Sequence, residues 1–143
     1  MKLRLRLLPI SAIVLLACCS VLVTGCGSGS SSVEGSVSYD GSPIDSGAVV
    51  FVPTESGDKA VKIGARIQDG KYTLDSTQGL APGKYLVILN WNKKTGRKIQ
   101  NGDGAGVRDE TKEGLPAKFN EATTQTADVK SGKNTIDFVL KSQ

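Results

Sequence analysis

The chain has 143 residues, 18 of them Lys or Arg and 14 Asp or Glu, with three cysteines, no histidine and a formal charge of +4. Without histidine it lacks the commonest general base at neutral pH and the commonest zinc ligand, and a Ser/His nucleophilic pair is excluded. Lys2, Arg4 and Arg6 hold three of the positive charges; beyond residue 25 there are 15 basic and 14 acidic side chains, so that part is +1 and has no electrostatic footprint for nucleic acid.

The first six residues, MKLRLR, are basic, and an apolar stretch follows from Leu7 to Val23, broken by Pro9, Ser11 and Ser20. A positive start, an apolar middle and small residues before a cut site make a secretory signal. Leu22-Val23-Thr24-Gly25-Cys26 resembles the lipobox of bacterial lipoproteins. The resemblance implies cleavage after Gly25, a diacylglycerol on the Cys26 thiol and acylation of the new amine. Two or more acyl chains anchor stably where one holds marginally, so the expected partner of Cys26 is a lipid bilayer. Gly27 rather than Asp after the cysteine implies, by the same resemblance, the outer membrane where the bacterium has two. The other readings are an uncleaved membrane-spanning helix, for which the stretch is just long enough, and a weaker cleavage site at Cys18, where bulky Leu16 replaces a small residue.

Cys18 and Cys19 leave with the signal and Cys26 is expected to be lipidated, so the exported domain holds no disulfide. Its 118 residues from Cys26 are enough for one domain without such staples. Residues 27–32, GSGSSS, read as a tether of roughly 13 Å, which keeps the domain close to the headgroups. The expected organisation is a signal at 1–25, a lipidated Cys and tether at 26–32, and one domain at 33–143.

From Val33 onward the hydrophobic period is two. Val61, Ile63, Ala65 and Ile67 alternate with polar residues and glycine, as do Tyr72 with Leu74 and Ile136 with Phe138 and Leu140. This predicts strands with one buried face. Ala48–Pro53 and Tyr85–Trp91 are apolar on both faces and read as central strands. Asp40-Gly41 and Asp69-Gly70 predict type I′ hairpins. In the second, Gln68 then pairs with Lys71 and Ile67 with Tyr72, both facing inward. Pro82-Gly83 suits a type II turn, Ser131-Gly132 marks the last turn, and Pro116 to Ala122 suits one short turn of helix. The strands expected are 33–39, 47–53, 61–67, 71–75, 84–91, 123–129 and 134–141: an all-β, seven-stranded antiparallel sandwich.

Val33-Glu34-Gly35-Ser36-Val37, Tyr39-Asp40-Gly41-Ser42-Pro43-Ile44, Gly47-Ala48-Val49-Val50-Phe51 and Gly79-Leu80-Ala81-Pro82-Gly83-Lys84-Tyr85 resemble carboxypeptidase-regulatory-like domains. Leu115-Pro116-Ala117-Lys118-Phe119-Asn120 and Gly132-Lys133-Asn134-Thr135-Ile136-Asp137-Phe138 are similar to the ends of small bacterial lipoproteins that carry this domain. The resemblance spans 33–141 apart from 93–114 and implies a transthyretin-like (prealbumin-like) sandwich with no catalytic residues. The hydroxyisourate hydrolases of that fold need active-site histidines, which are missing. Pilin-type crosslinks need a first-strand lysine, and Val33–Tyr39 has none.

Residues 93–114 read as a long Gly-rich loop: four positive charges from Lys93 to Lys98, then Asp103, Asp109, Glu110 and Glu113. Such a segment is either a recognition loop or a solvated excursion. If successive strands reverse direction, the loop lies at the membrane-distal end beside both Asp-Gly turns. Asn101, Asp103, Gly104 and Glu110 match calcium-loop positions 3, 5, 6 and 12, but Ile99 at position 1 offers no ligand, so no metal site is expected. Asp109 and Glu110 are neighbours on a glycine-rich segment, not two carboxylates across a cleft, so glycoside hydrolysis is not expected. Trp91, the only tryptophan, reads as core or rim packing, with stacking on a sugar as the functional alternative. No cofactor and no enzymatic activity are expected: the reading is a membrane-anchored envelope lipoprotein, structural or interacting. The alternatives are a glycan- or envelope-polymer-binding protein using Trp91, Lys93, Lys94, Arg97 and Lys98, and, ranked lower, a hydrolase of unrecognised type.

Overall fold

The computed structural model describes residues 29–55, 61–78 and 80–143. The signal segment, the lipobox and Cys26 lie outside the described residues. Ten strands form one strongly curled, mostly antiparallel sheet: β1 (Ser31–Tyr39), β2 (Ser42–Pro43), β3 (Ser46–Pro53), β4 (Ile63–Gln68), β5 (Lys71–Leu74), β6 (Gly83–Gln100), β7 (Val107–Glu113), β8 (Thr126–Val129), β9 (Gly132–Thr135) and β10 (Phe138–Leu140). Three-residue 3₁₀ turns at Ser76–Gln78 and Ala117–Phe119 are the helical pieces, the second inside the expected 116–122 segment. Among the described residues no helix is long and apolar enough to cross a membrane.

The sheet runs β10-β1-β5-β4-β3-β6-β7, with β2 and β9 also on β1 and β8 on β6. The two segments apolar on both faces are central: β3 pairs with β4 and β6, and β6 pairs with β3 and β8. Their inward residues, Val49, Phe51, Tyr85, Val87 and Leu89, are buried, and the outward ones are half-buried. Phe51 stands edge-on to Tyr85 at 6.0 Å and tilted to Tyr72 at 6.3 Å, and Tyr72 meets Phe138 at 6.1 Å. Burial pushes the Tyr72 hydroxyl above its ordinary pKa, with Asp137 adding to it; that O–H donates to Ile136 O at 2.8 Å.

Both Asp-Gly turns form as expected. Asp40 and Gly41 have φ of 49° and 81°, Asp69 and Gly70 49° and 74°, which is the double positive φ of type I′. Gln68 pairs with Lys71, and Ile67 and Tyr72 are both buried.

Five expectations need correction. β4 begins at Ile63, and Val61 is 73% exposed, because among the described residues no strand pairs with it. Gly83 has φ 155°, not the roughly 80° of a type II centre, since it already pairs with Val129. The 134–141 strand is two pieces, β9 and β10, and both run parallel to β1. Between them Ile136 N donates to Glu34 O at 2.9 Å, and Asp137 Oδ1 accepts Ser36 N and Ser36 Oγ, both at 2.7 Å. The tether is shorter than expected, because Ser31 and Ser32 belong to β1; Ser31 is fully buried, and its N–H donates to Leu80 O at 2.8 Å. Finally, 93–114 is no loop: the second half of β6 and all of β7 build a two-stranded ribbon.

Strand direction follows from the pairings. β1, β4 and β6 run the same way, and β3 and β5 the opposite way. The ribbon therefore leaves the body at the end that carries both Asp-Gly turns, opposite the end where the chain enters β1.

Candidate functional site

The ribbon begins where β6 runs past its partner β3, whose pairing stops at Gly47 with Trp91. Side chains alternate along a strand, so Trp91 continues the inward row of Tyr85, Val87 and Leu89, and Asn90 and Asn92 continue the outward row. At the root, Glu113 organises the exit. Its Oε1 accepts Trp91 N at 3.0 Å and Leu115 N at 2.8 Å, and its Oε2 accepts Asn90 Nδ2 at 2.9 Å. Burial alone would raise its pKa, but the donors (Asn90 Nδ2 and the N–H groups of Leu115, Trp91 and Gly114) outweigh it and hold the carboxyl below its ordinary range.

Trp91 is packed at the rim. Its indole N–H donates to Asp45 Oδ1 at 2.7 Å, Tyr39 lies 6.0 Å away at 53°, and Lys93 Nζ sits 4.9 Å from the ring centroid. Gly114 lies flat against the indole; a Cβ there would stand 2.5 Å from Trp91 Cε3. The indole is engaged by these groups rather than presented as an open stacking platform.

β6 and β7 pair as Asn92 with Glu113, Lys93 with Lys112, Lys94 with Thr111, and then, past a bulge, Lys98 with Asp109, Ile99 with Arg108 and Gln100 with Val107. The bulge sets Thr95, Gly96 and Arg97 against Glu110 alone, and Gly96 supplies a φ of 84°. Glu110 Oε2 takes the Thr95 hydroxyl at 2.6 Å and faces Arg97 Nε at 3.3 Å. The tip is tied by Asn101 N to Gly106 O and by Asn101 Nδ2 to Ala105 O, both 2.9 Å, and by Ala105 N to Asp103 Oδ1 at 3.0 Å. The residues of the calcium-loop pattern are thus spent on backbone and ribbon contacts. Among the described residues no cluster of three His, Cys, Asp or Glu could hold a metal.

The register sorts the charges onto two faces. On the outward face Asp109 lies 2.6 Å from Lys98 and 3.3 Å from Lys94, and these two ammonium groups, Lys98 first, lower its pKa. On the inward-continuing face stand Lys93, Arg108 and Lys112, with Arg97 and Glu110 as a pair. Of the residues expected to bind, Lys94 and Lys98 therefore share the Asp109 carboxylate across the ribbon, Arg97 is paired with Glu110, Trp91 is built into its root, and Lys93 alone stays on a face with no carboxylate left for it. Sequence reasoning missed Arg108 and Lys112. The hairpin dipeptides Asn101-Gly102 and Asp103-Gly104 could have revealed the turn that brings them there.

A shallow trough of about 550 Å³ lies on the outer face of β4 and β5, with Arg66, Gln68, Lys71 and Asp75 in its lining. Asp75 is its one carboxyl group, and no histidine or cysteine lines it. No protein-family model matches this chain, and no curated protein matches it.

Proposed function

We propose that this chain is a lipoprotein of the bacterial envelope, anchored through Cys26, whose transthyretin-like, seven-strand-derived sandwich is a non-catalytic interaction module. The anchor rests on the order basic segment, apolar segment, Thr24-Gly25-Cys26. The curled all-β body supports the finer fold, because each of the seven expected strands has a counterpart in it. The observation that carries the interaction reading is the ribbon. It projects from the end opposite the entry of β1, and none of residues 92–113 is buried. Nine residues from Asn92 to Gln100 reach roughly 30 Å at about 3.3 Å each, so an anchored body would hold the ribbon away from its membrane.

Mass spectrometry of the mature N-terminus tests the anchor: a diacylglyceryl-modified, acylated Cys26 peptide is expected, and Cys26→Ala should move the protein out of the detergent phase. An unmodified, cytosolic native chain would overturn it. Protease mapping on intact cells tests the orientation, with cuts in 101–106 expected; protection there while the 54–60 connection is cut would count against it.

The second reading, binding of a glycan or envelope polymer, is favoured by the unbalanced basic face of the ribbon, with Lys93, Arg108 and Lys112 in place of the wider 93–98 stretch.

A further inference from the structure

Lys93 and Lys112 are direct cross-strand partners. Like charges placed opposite each other destabilise a ladder, and adjacent strands are only about 5 Å apart. Arg108 is on the same face, four residues along β7 from Lys112. Among the described residues none of these three makes an ion pair, although the ribbon carries carboxylates enough to offer one. Asp109 and Glu113 project from the other face, and Glu110 is committed to Thr95 and Arg97. The result is a narrow strip with three uncompensated positive charges, solvent-exposed along its length, on a molecule that is otherwise near neutral.

We infer that this strip, Lys93, Arg108 and Lys112, is a docking surface for an acidic polysaccharide. A cation pair with a third cation about 13 Å along β7 suits a linear chain bearing one carboxylate per sugar, and none of the cavities described is lined by Lys93, Arg108 or Lys112. Single-stranded nucleic acid needs exposed aromatic faces for base stacking; residues 92–113 hold no aromatic, and Trp91 is engaged at the root. Insertion into a bilayer needs an apolar face, and this strip offers only Ile99 between its charges. The assignment deepens the polymer-binding reading and does not depend on the acyl anchor.

The test uses the full chain in detergent and measures its affinity for polygalacturonate at rising salt. The unaltered protein is expected to bind, and to weaken with salt as a polyelectrolyte contact must. K93Q/R108Q/K112Q is expected to lose at least about tenfold in affinity, because three charge contacts go together. K94Q/K98Q removes two charges from the outward face and is expected to change affinity less than about threefold, since both are already paired with Asp109. K93R/K112R keeps the charge and should bind like the unaltered chain. Retained amide-exchange protection at Trp91 and Leu115 in all variants shows that the root has kept its hydrogen bonds to Glu113. Equal losses from the two glutamine variants, no binding of polygalacturonate by the unaltered chain, or preference for duplex DNA or phosphatidylglycerol vesicles over the polysaccharide would each overturn the assignment. Failure here with an acylated Cys26 leaves the anchored-module reading in place; an unmodified Cys26 with intact polymer binding does the reverse.

Discussion

The carboxylate of Glu113 accepts the backbone N–H of Trp91 at 3.0 Å, so a side chain at the end of β7 completes the ladder where β6 leaves the body. The same carboxylate holds Leu115 N and Asn90 Nδ2, and no neutral side chain can accept all three equally well. Glu113→Ala should destabilise the ribbon root by about 1–2 kcal/mol, the range for lost hydrogen bonds to a partly exposed charged group. Faster amide hydrogen exchange at Trp91 and Leu115, with little change in the β3–β6 core, is the expected readout. The pH dependence has a definite sign. The folded pKa of Glu113 is depressed, so its contribution is present above the unfolded value of about 4.3 and fades as pH falls through the folded one. Protection at the root, referred to the intrinsic exchange rate at each pH, should fall as the pH drops through the folded pKa of Glu113, and Glu113→Gln should abolish that pH dependence.

Gly114→Ala should displace the indole. Its Cβ would meet Trp91 at 2.5 Å, a contact relieved only by moving the ring away from Tyr39 and Asp45. Because Trp91 is the sole tryptophan, its emission reports this directly. A red shift is expected, with a loss of roughly 1–3 kcal/mol in urea unfolding, as for overpacking elsewhere. An unshifted spectrum would mean the ring is not held as described.

The two Asp-Gly turns should respond differently to alanine. Gly41 and Gly70 share a positive φ, which costs any L-residue roughly 1–2 kcal/mol. Around Gly41 a Cβ meets nothing within 4 Å, whereas at Gly70 it falls 2.5 Å from Pro43 Cβ. Gly70 N also donates to Ile44 O at 2.7 Å, and Gly70 O accepts Val37 N at 2.8 Å, so the turn cannot shift freely. Gly70→Ala should therefore lower Tm more than Gly41→Ala; equal shifts in calorimetry would contradict this packing.

Asn134→Ala should loosen the corner between β8 and β9. Asn134 Oδ1 accepts Lys130 N at 2.8 Å, and its Nδ2 faces Lys130 O at 2.8 Å and Ser32 O and Gly132 O, both at 3.1 Å. Losing this set should cost about 1–3 kcal/mol, measured by denaturant midpoint with the slope unchanged. Asn134→Asp keeps the Lys130 N–H contact but turns a carboxylate oxygen onto three carbonyl oxygens, so it should cost at least as much as alanine.

Phe51→Ala should cost about 3–5 kcal/mol, since a fully buried ring in contact with Tyr72 and Tyr85 leaves a cavity that strands cannot close. Thermal unfolding monitored by far-UV circular dichroism checks it.

What could be read from the sequence was whatever had one dry face and one wet face. Ile67, Tyr72 and Leu74 alternate because a core lies on one side of them, and Asp69-Gly70 sets their phase, so hairpin and burial followed together. The ribbon has water on both faces, so Lys93 to Gln100 carries no apolar period although it is as much a strand as Tyr85 to Trp91. Its charge sorting was out of reach for a further reason: the bulge between Lys94 and Lys98 keeps the alternation but shifts the register by two residues, so counting by twos from Lys93 assigns Arg97 and Ile99 to a face without showing what opposes them. Val61 kept the alternation but had no partner strand among the described residues. The parallel pairing of β9 and β10 on β1 is a long-range choice that no local pattern encodes.

That pairing has a consequence for how the body is made. β1 takes its neighbours from two distant parts of the chain: Val33 to Ser36 lie against β5 on one edge, and Ser31 to Glu34 and Val37 to Tyr39 lie against β9 and β10 on the other. β1 must wait for residues 132–140 before both its edges are covered. A nascent chain halted before Phe138 keeps an open edge on β1 and leaves the Asp137 clamp on Ser36 without its following strand. Such non-local closure is slow, and it makes synthesis of β9 and β10 the event that seals the edge of β1.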